Sequence, residues 1–371
     1  MSRFPREDVP PRRGAREPCS AEDDAGGKGR LSVHLLRLTV VSDGGKRSII
    51  LFMKIKTVIW AVSCVALWSS AQAAFFNFHP ATLEEGRALI TSDDAHIKRL
   101  TKSDLEMRFP GKSPDVKYYK KFAAEQVRAF SLQTQAALSN SFTRVGARLE
   151  KLGFVNPLTN NITVVLTTMK EEFNAAGYTR GSTIYLKDDL VEFAQPMSLD
   201  FLVTHELFHV LSRYSRDFRS KIYSVIGFTL CDEPAFTPEV RARLVANPDV
   251  ERYDCKAVFT IGGKPVEATI VATYDESVPE SYPLTYRLSA GVVPIAKPDR
   301  VIPVDEVPDF WKVVGRNTQY VIAAEECLAK NFTMAVMFSD KEKIYLSRMP
   351  NPEIVKKIIT ILKGKTGAPD S

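Results

Sequence analysis

The stretch Pro196-Met-Ser-Leu-Asp200-Phe-Leu-Val-Thr-His205-Glu206-Leu-Phe-His209-Val-Leu-Ser-Arg-Tyr214 decides how the rest of the chain is read. Pro196 and Ser198 open a helix, and Asp200 stands in its first turn, where a negative charge is favoured. The pattern continues to about Tyr214. Phe201, Leu202, Val203, Leu207, Phe208, Val210 and Leu211 cover nearly the whole circumference, which marks a buried central helix. Inside that apolar cover lies His205-Glu206-x-x-His209. At positions i and i+4 both imidazoles project from one face and can meet one cation. Neutral imidazole suits Zn²⁺, and two such ligands with a carboxylate leave the fourth tetrahedral position for water. Glu206 stands beside that position, able to take a proton from the water. A buried helix has little reason to carry His, Glu and His unless something offsets their desolvation. One zinc ion is therefore the expected cofactor.

Elimination narrows the third ligand. Metzincins extend the motif as His-Glu-x-x-His-x-x-Gly-x-x-His, but Ser212 and Ser215 hold the corresponding positions, and no histidine follows His209. Upstream, His79 borders a leader segment, and His96 sits among Asp93, Asp94 and Lys98, the pattern of a solvated helix face. A downstream carboxylate remains. The helical pattern at Thr318–Val336 carries two, and its stripe of Val321, Leu328, Ala329, Phe332 and Val336 centres on Glu325.

At Ala323-Ala-Glu-Glu326-Cys-Leu-Ala329-Lys-Asn-Phe332 the sequence resembles a family. His-Glu-x-x-His followed on a later helix by Glu-x-x-small-x-x-Phe looks like the gluzincin metallopeptidases, the broad clan that includes thermolysin. In that pattern the ligand Glu has a small residue three places on, where its helix crosses close to the motif helix. Ala176-Gly-Tyr-Thr-Arg-Gly181, the His205–Arg213 segment and the Glu325–Phe332 helix are also similar to a set of uncharacterised secreted bacterial metallopeptidases. The resemblance covers roughly residues 160–340. It implies a zincin-like α+β fold, zinc held by His205, His209 and Glu326, and Glu206 as the catalytic base. The family spacing favours Glu326 over Glu325. One departure stands out: gluzincins often place Asp four residues after the ligand Glu, as a partner for the first His, and this chain has Lys330.

The 371 residues, 44% hydrophobic and 25% charged, have ordinary globular composition. A disordered tail, a collagen, a small disulfide scaffold and a polytopic membrane protein are excluded. The net charge of +6 is concentrated early: residues 1–52 hold 10 Lys/Arg against 7 Asp/Glu, and residues 53–73 hold two Lys and no acid. Residues 74–371 are therefore left at +1, so no nucleic-acid partner is expected. Met53-Lys-Ile-Lys-Thr precedes an unbroken apolar run from Val58 to Trp68, and Ala71 and Ala73 supply the small residues of a cleavage site. That is a secretory signal peptide over 53–73. Its apolar run is too short to span a bilayer, which takes about 20 residues. Met53 is then the expected start, with 1–52 either upstream sequence read in frame or a disordered extension; the rival is an extension with an internal signal anchor. The mature protein is expected to be periplasmic or secreted, as one domain over 74–371, without stable membrane insertion. Of its three cysteines, Cys231 and Cys255 are the expected disulfide and Cys327 a buried thiol.

Further elements follow from pattern. Thr82 to about Leu152 reads as a helical N-terminal layer, with a long amphipathic run from Tyr118 ended by Gly153. Ile162-Thr-Val-Val-Leu-Thr-Thr168 reads as a buried strand, and Ser182–Lys187, after turns at Gly177 and Gly181, as a more exposed one. Residues 256–296 form a β-rich insertion with a hairpin at Gly262-Gly263, prolines punctuate 279–308, and Pro352–Leu362 is a helix closed by Gly364. The expected function is zinc-dependent hydrolysis of a protein or peptide. Ser182–Lys187 is the candidate edge for holding substrate backbone by strand addition. Tyr320 is a conceivable oxyanion stabiliser. Two rivals stand beside this: a structural zinc site, with Cys327 next to the ligand Glu, and an exported binding module with a decayed peptidase fold.

Overall fold

The computed structural model describes residues 75–275, 278 and 287–364. The expected leader and the segment before it lie outside these residues, as do residues 279–286 of the proline-punctuated stretch. Strand β1 (Phe78–Pro80) leads into α1 (Leu83–Ile90), α2 (Ala95–Arg99), α3 (Lys102–Arg108), α4 (Val116–Gln126), β2 (Val127–Arg128) and the long α5 (Leu132–Leu152). Side chains set the helix starts. The Thr82 hydroxyl accepts the Glu85 N–H while the Glu85 carboxylate accepts the Thr82 N–H, and Thr101 with Asp104 repeats this box. Gly153, at φ 82°, ends α5 as expected. The amphipathic run from Tyr118 is broken, however. Val127 and Arg128 pair with Thr167 and Leu166 of β3 (Ile162–Thr167), and Ser131 caps a new helix. A tertiary pairing here overrides the helical period.

The first sheet has the order β1-β3-β5-β4, with β2 also on β3. Here β4 is Gly177–Arg180, antiparallel to β5 (Thr183–Lys187), while β1, β3 and β5 are parallel. β3 is buried, as its β-branched run announces. β5 is not the exposed strand that its alternation suggests. Ile184 and Leu186 enter the main core, and on the other face Tyr185 stacks on Tyr178 at 4.7 Å beneath the N-terminal helices. The edge belongs to β4, whose two flanking glycines read as turns.

Next come α6 (Asp188–Phe193), α7 (Pro196–Tyr214) and α8 (Arg216–Ser224). α7 begins and ends where its sequence indicates. The β-rich insertion contains β6 (Thr229–Leu230), α9 (Pro238–Arg243), β7 (Cys255–Ile261), β8 (Lys264–Tyr274), β9 (Leu288–Pro294) and β10 (Ile302–Pro303). Its strands form an antiparallel sheet in the order β10-β9-β8-β7-β6. Gly262 and Gly263, at φ 57° and 74°, make the tight hairpin that β7 and β8 need. The chain ends with α10 (Phe310–Val314), α11 (Ala324–Phe338), α12 (Glu342–Tyr345) and α13 (Pro352–Leu362), followed by Gly364 in the left-handed region. α11 starts at Ala324 rather than Thr318, because Ile322 and Ala323 are drawn into apolar clusters under the second sheet.

The architecture is mixed α+β, with helices around two small sheets. α7 packs between α5 and α11; Phe208 meets Phe332 at 5.3 Å, and Ala329 is fully buried at the helix contact. Among the described residues no helix is long and apolar enough to cross a membrane. Cys231, Cys255 and Cys327 are all free. The expected Cys231–Cys255 bridge is absent because Leu230, not Cys231, pairs with Cys255, which turns into the core while Cys231 stays half-buried. Cys327 is a buried thiol, as read.

His96 corrects a second expectation: it is only 3% exposed. Its Nε2 lies 3.1 Å from Glu172 Oε1, and Glu172 also accepts from Tyr119 (2.7 Å) and Arg108 (2.5 Å). Burial pushes the Glu172 carboxyl up, but Arg108 and His96 outweigh it and hold it at about 2. Arg108 reaches the carbonyl of neighbouring Glu171, at 3.3 Å, rather than its carboxyl. Burial raises its carboxyl to about 7, despite hydrogen bonds from Thr167 and Tyr178. The folded chain thus keeps a proton that the unfolded chain releases near pH 4.5, so stability falls as pH rises from about 4.5 to 7. At about 1.4 kcal/mol per pH unit the loss is on the order of 3 kcal/mol. Chemical denaturation at several pH values is expected to show this fall in the native chain and a flatter profile in Glu171→Gln. Equal slopes would contradict the assignment.

Candidate metal centre

Helix α7 presents His205 and His209 one turn apart, with their Nε2 atoms 3.3 Å from each other. Helix α11 brings Glu326, in its first turn, to the same point, with Oε2 3.4 Å from His205 Nε2. Donors held about 2.0–2.1 Å from a tetrahedral ion stand about 3.3–3.4 Å apart, so these separations match the edges of such a site. The three donors lie within 4.8 Å of one another and could hold a metal ion. The orphaned atoms agree. Glu326 Oε2 is buried without a hydrogen-bond partner, a costly arrangement that a cation would offset. Glu326 Oε1 accepts from Asn247 Nδ2 at 2.9 Å. Burial pushes the Glu326 carboxyl up, but the two histidines and Asn247 outweigh it and hold it well below its ordinary range.

Glu325 points elsewhere. Its Oε1 lies 3.0 Å from His209 Nδ1 and accepts from Ser212 Oγ at 2.5 Å, and its Oε2 accepts from the Tyr223 hydroxyl. Glu325 therefore sits behind His209. A carboxylate at Nδ1 accepts a hydrogen bond from the ring N–H, keeping the proton on Nδ1 and leaving Nε2 as a lone-pair donor facing the cluster. The two candidates from the sequence are thus separated: Glu326 joins the histidine pair and Glu325 orients one of them. His205 Nδ1 is buried with no partner, and Lys330 is exposed at the position where the family pattern supplies one.

Glu206 is 2% exposed, with Oε2 accepting from Thr179 Oγ1 at 2.8 Å. Burial raises its carboxyl to about 7. β4 approaches it closely: a Cβ on Gly177 would lie 3.1 Å from Glu206 Oε1 and 2.9 Å from Leu186, so only glycine fits without displacement. Ser182–Lys187 is not the strand beside this helix face at the sheet edge; β4 is.

Sequence reasoning missed Asn247 and Asp249. Asp249 Oδ1 stands 3.8 Å from His209 Nε2 and accepts the Thr179 N–H at 2.7 Å. With Glu206 and His209 it forms a second group of close donors. Burial, then Glu206 and Glu326, pushes its carboxyl well above the ordinary range. The only local signal was the turn-like Asn247-Pro248-Asp249, which carries no chemistry by itself. Tyr320 is half-buried and packs against the apolar cluster of Val245, Ala272, Leu288 and Ile322. After burial, the charges that raise its phenol most are those of Glu326, Asp249 and Glu206. A cavity of about 260 Å³ adjoins the centre without containing its donors; Arg213, Tyr223, Asp249 and Glu325 are in its wall.

No protein-family model matches the chain, and no curated protein or solved structure is significantly similar to it. The geometry separates the two glutamates experimentally. Glu326→Gln is expected to abolish stoichiometric binding of a divalent metal, while Glu325→Gln weakens it about 10–100-fold, the usual effect of losing a carboxylate behind a ligand histidine. Chelator competition with zinc as the probe reads both. A larger loss in the Glu325 variant would reverse the assignment.

Proposed function

We propose that this chain is an exported zinc metallopeptidase of the gluzincin kind, with His205, His209 and Glu326 as zinc ligands and Glu206 as general base. The observation that carries the reading is the approach of Glu326 Oε2 to the histidine pair at the edge length of a zinc tetrahedron, with Glu206 alongside. The fold supports it as well: the motif helix, the glutamate helix crossing it at a buried Ala329, and an antiparallel edge strand beside the motif are the parts a zincin uses. The signal-like segment 53–73 supports export. Near-neutral charge over 74–371 favours a protein or peptide substrate over nucleic acid.

Bound zinc would supply Lewis-acid polarisation of the scissile carbonyl and acidify the attacking water. The chain's own residues do the rest. Thr179 holds the Glu206 carboxylate, which takes the proton from water and returns it to the leaving amine. Glu325, braced by Ser212 and Tyr223, fixes the tautomer and angle of His209. Tyr320, whose phenol is raised by burial and then by the charges of Glu326, Asp249 and Glu206, is the candidate to donate a hydrogen bond to the developing oxyanion.

One observation favours a second reading, an exported zinc-binding module without turnover. The donors are almost sealed, with His209 at 0% and Glu326 at 1% exposure. Glu206→Gln tests the main reading. Zinc content is expected to stay at one equivalent while cleavage of a peptide mixture, followed by mass spectrometry, falls about 100-fold or more. A chelator is expected to stop the wild-type reaction and added zinc to restore it. Cleavage that survives in the Glu206 variant would remove glutamate-based catalysis.

A further inference from the structure

The metallopeptidase reading needs a place for substrate backbone, and that place is filled. In antiparallel pairing alternate residues of an edge strand turn their N–H and C=O groups outward. On β4 these include Thr179, with Gly181 just beyond the strand end. Asp249 Oδ1 accepts the Thr179 N–H at 2.7 Å, and Glu251 Oε1 accepts the Gly181 N–H at 2.8 Å. Arg213 Nη1 donates to both carbonyls, at 3.1 and 3.2 Å. Acceptors thus stand where a peptide would place its carbonyls, and donors where it would place its N–H groups.

The same short segment reaches the metal centre. Asn247 donates to Glu326, and Asp249 lies 3.8 Å from His209 Nε2. Arg213 clasps it from the helix side, donating to the Pro248 carbonyl at 3.1 Å and lying 3.6 Å from Glu251. On both sides the segment is tied to other walls: Val245 N–H to the Ala272 carbonyl, Ala246 N–H to Asp104, and Tyr253 N–H to Glu233. Between those ties, Asn247, Asp249 and Glu251 are held to the catalytic walls by individual polar contacts, and Val250 is buried in an apolar cluster with Val271 and Val293.

We propose that Asn247–Glu251 is a strap lying in cis on the peptide-binding edge of β4, and that an extended peptide binds by displacing it. This rests on the metallopeptidase reading. Hydrogen bonds to β4 from the strap are replaced by hydrogen bonds from the incoming backbone, each with a modest net value, while the burial of Val250 favours the closed position. The strap therefore sets how readily the centre admits a chain, and the sealed donors belong to its closed position.

The test uses the zinc-loaded mature protein and two probes. Acetohydroxamate needs only the cation, whereas an acyl-dipeptide hydroxamate also needs the strand edge. In unmutated protein, the dipeptide hydroxamate is expected to raise amide exchange across residues 245–253 while 177–181 stay protected, and acetohydroxamate to leave both unchanged. Asp249→Ala and Glu251→Ala are expected to tighten the dipeptide hydroxamate about tenfold, equivalent to about one strap hydrogen bond, and Glu251→Ala, which removes none of the close donors, to have little effect on acetohydroxamate. Unchanged exchange at 245–253 on dipeptide hydroxamate binding overturns the strap, even if the variants fail to fold. So does unchanged or weaker binding of that probe by zinc-containing variants. Failure of the unmutated chain to hold zinc or bind acetohydroxamate would sink the metallopeptidase reading itself, and this inference with it. Strap release on binding the peptide probe, without cleavage of any peptide by the variants, would instead favour the binding-module reading and leave the strap standing.

Discussion

A buried carboxylate oxygen without a hydrogen-bond partner, Glu326 Oε2, stands 3.4 Å from a histidine nitrogen, and the surrounding structure exists to hold that costly arrangement. An uncompensated charge in an apolar interior costs several kcal/mol. The compensation within the chain comes from the two histidines, the Asn247 amide on the other oxygen, and the N-terminal end of α11, where a helix favours negative charge. Glu325 also ties α11 to α7, through His209 and Ser212, and Phe208, Phe332 and Ala329 lie beside these contacts in the main core. A cation at the donors would add to the compensation of Glu326 Oε2.

Two consecutive glutamates divide the work because one step along a helix turns a side chain by about 100°. Glu326 meets the Nε2 side of the histidine pair, and Glu325 meets Nδ1 of His209 from behind. Their partners differ accordingly. Glu325 is surrounded by hydrogen-bonding groups from His209, Ser212 and Tyr223, whereas Glu326 keeps one oxygen bare. Periodicity alone could not separate them, because both are buried, at 7% and 1% exposure. Position in an apolar stripe reports burial, and here the distinction lies in which buried partner each carboxylate meets.

The same division runs through the whole chain. α7, the β3 run, the Gly262-Gly263 hairpin and α13 were legible because local period, capping and turn chemistry carry them. The split at Val127, the inner position of β5, the burial of His96 and the arrival of Asp249 depended on partners far away in sequence. His96 meets Glu172 76 residues on, and Asp249 meets Thr179 across 70. Asp93, Asp94 and Lys98 around His96 look like a solvated face because clustered charged neighbours are a fair sign of water. They say nothing about a carboxylate delivered from β3's far end. In the site, the His-Glu-x-x-His helix could be read outright and the third ligand narrowed to a pair. The loop that covers them left no mark, since Asn-Pro-Asp is ordinary turn chemistry.

β4 links covering loop and catalytic helix more tightly than proximity alone would. Gly177 leaves space for the Glu206 carboxylate, and the Thr179 hydroxyl donates to it. The backbone of that same Thr179 is hydrogen-bonded to Asp249 through its N–H and to Arg213 through its carbonyl. One residue thus contacts Asn247–Glu251 through its main chain and the Glu206 carboxylate through its side chain. On the proposed metallopeptidase reading, a peptide that took over the Thr179 backbone groups would pull on the strand that orients Glu206, and admission of substrate would be coupled to alignment of the proposed base. An enzyme whose edge strand only bound substrate would need no threonine there; valine would pair as well and bury better. On that reading, the hydroxyl is what would join the edge of the sheet to the proposed proton transfer.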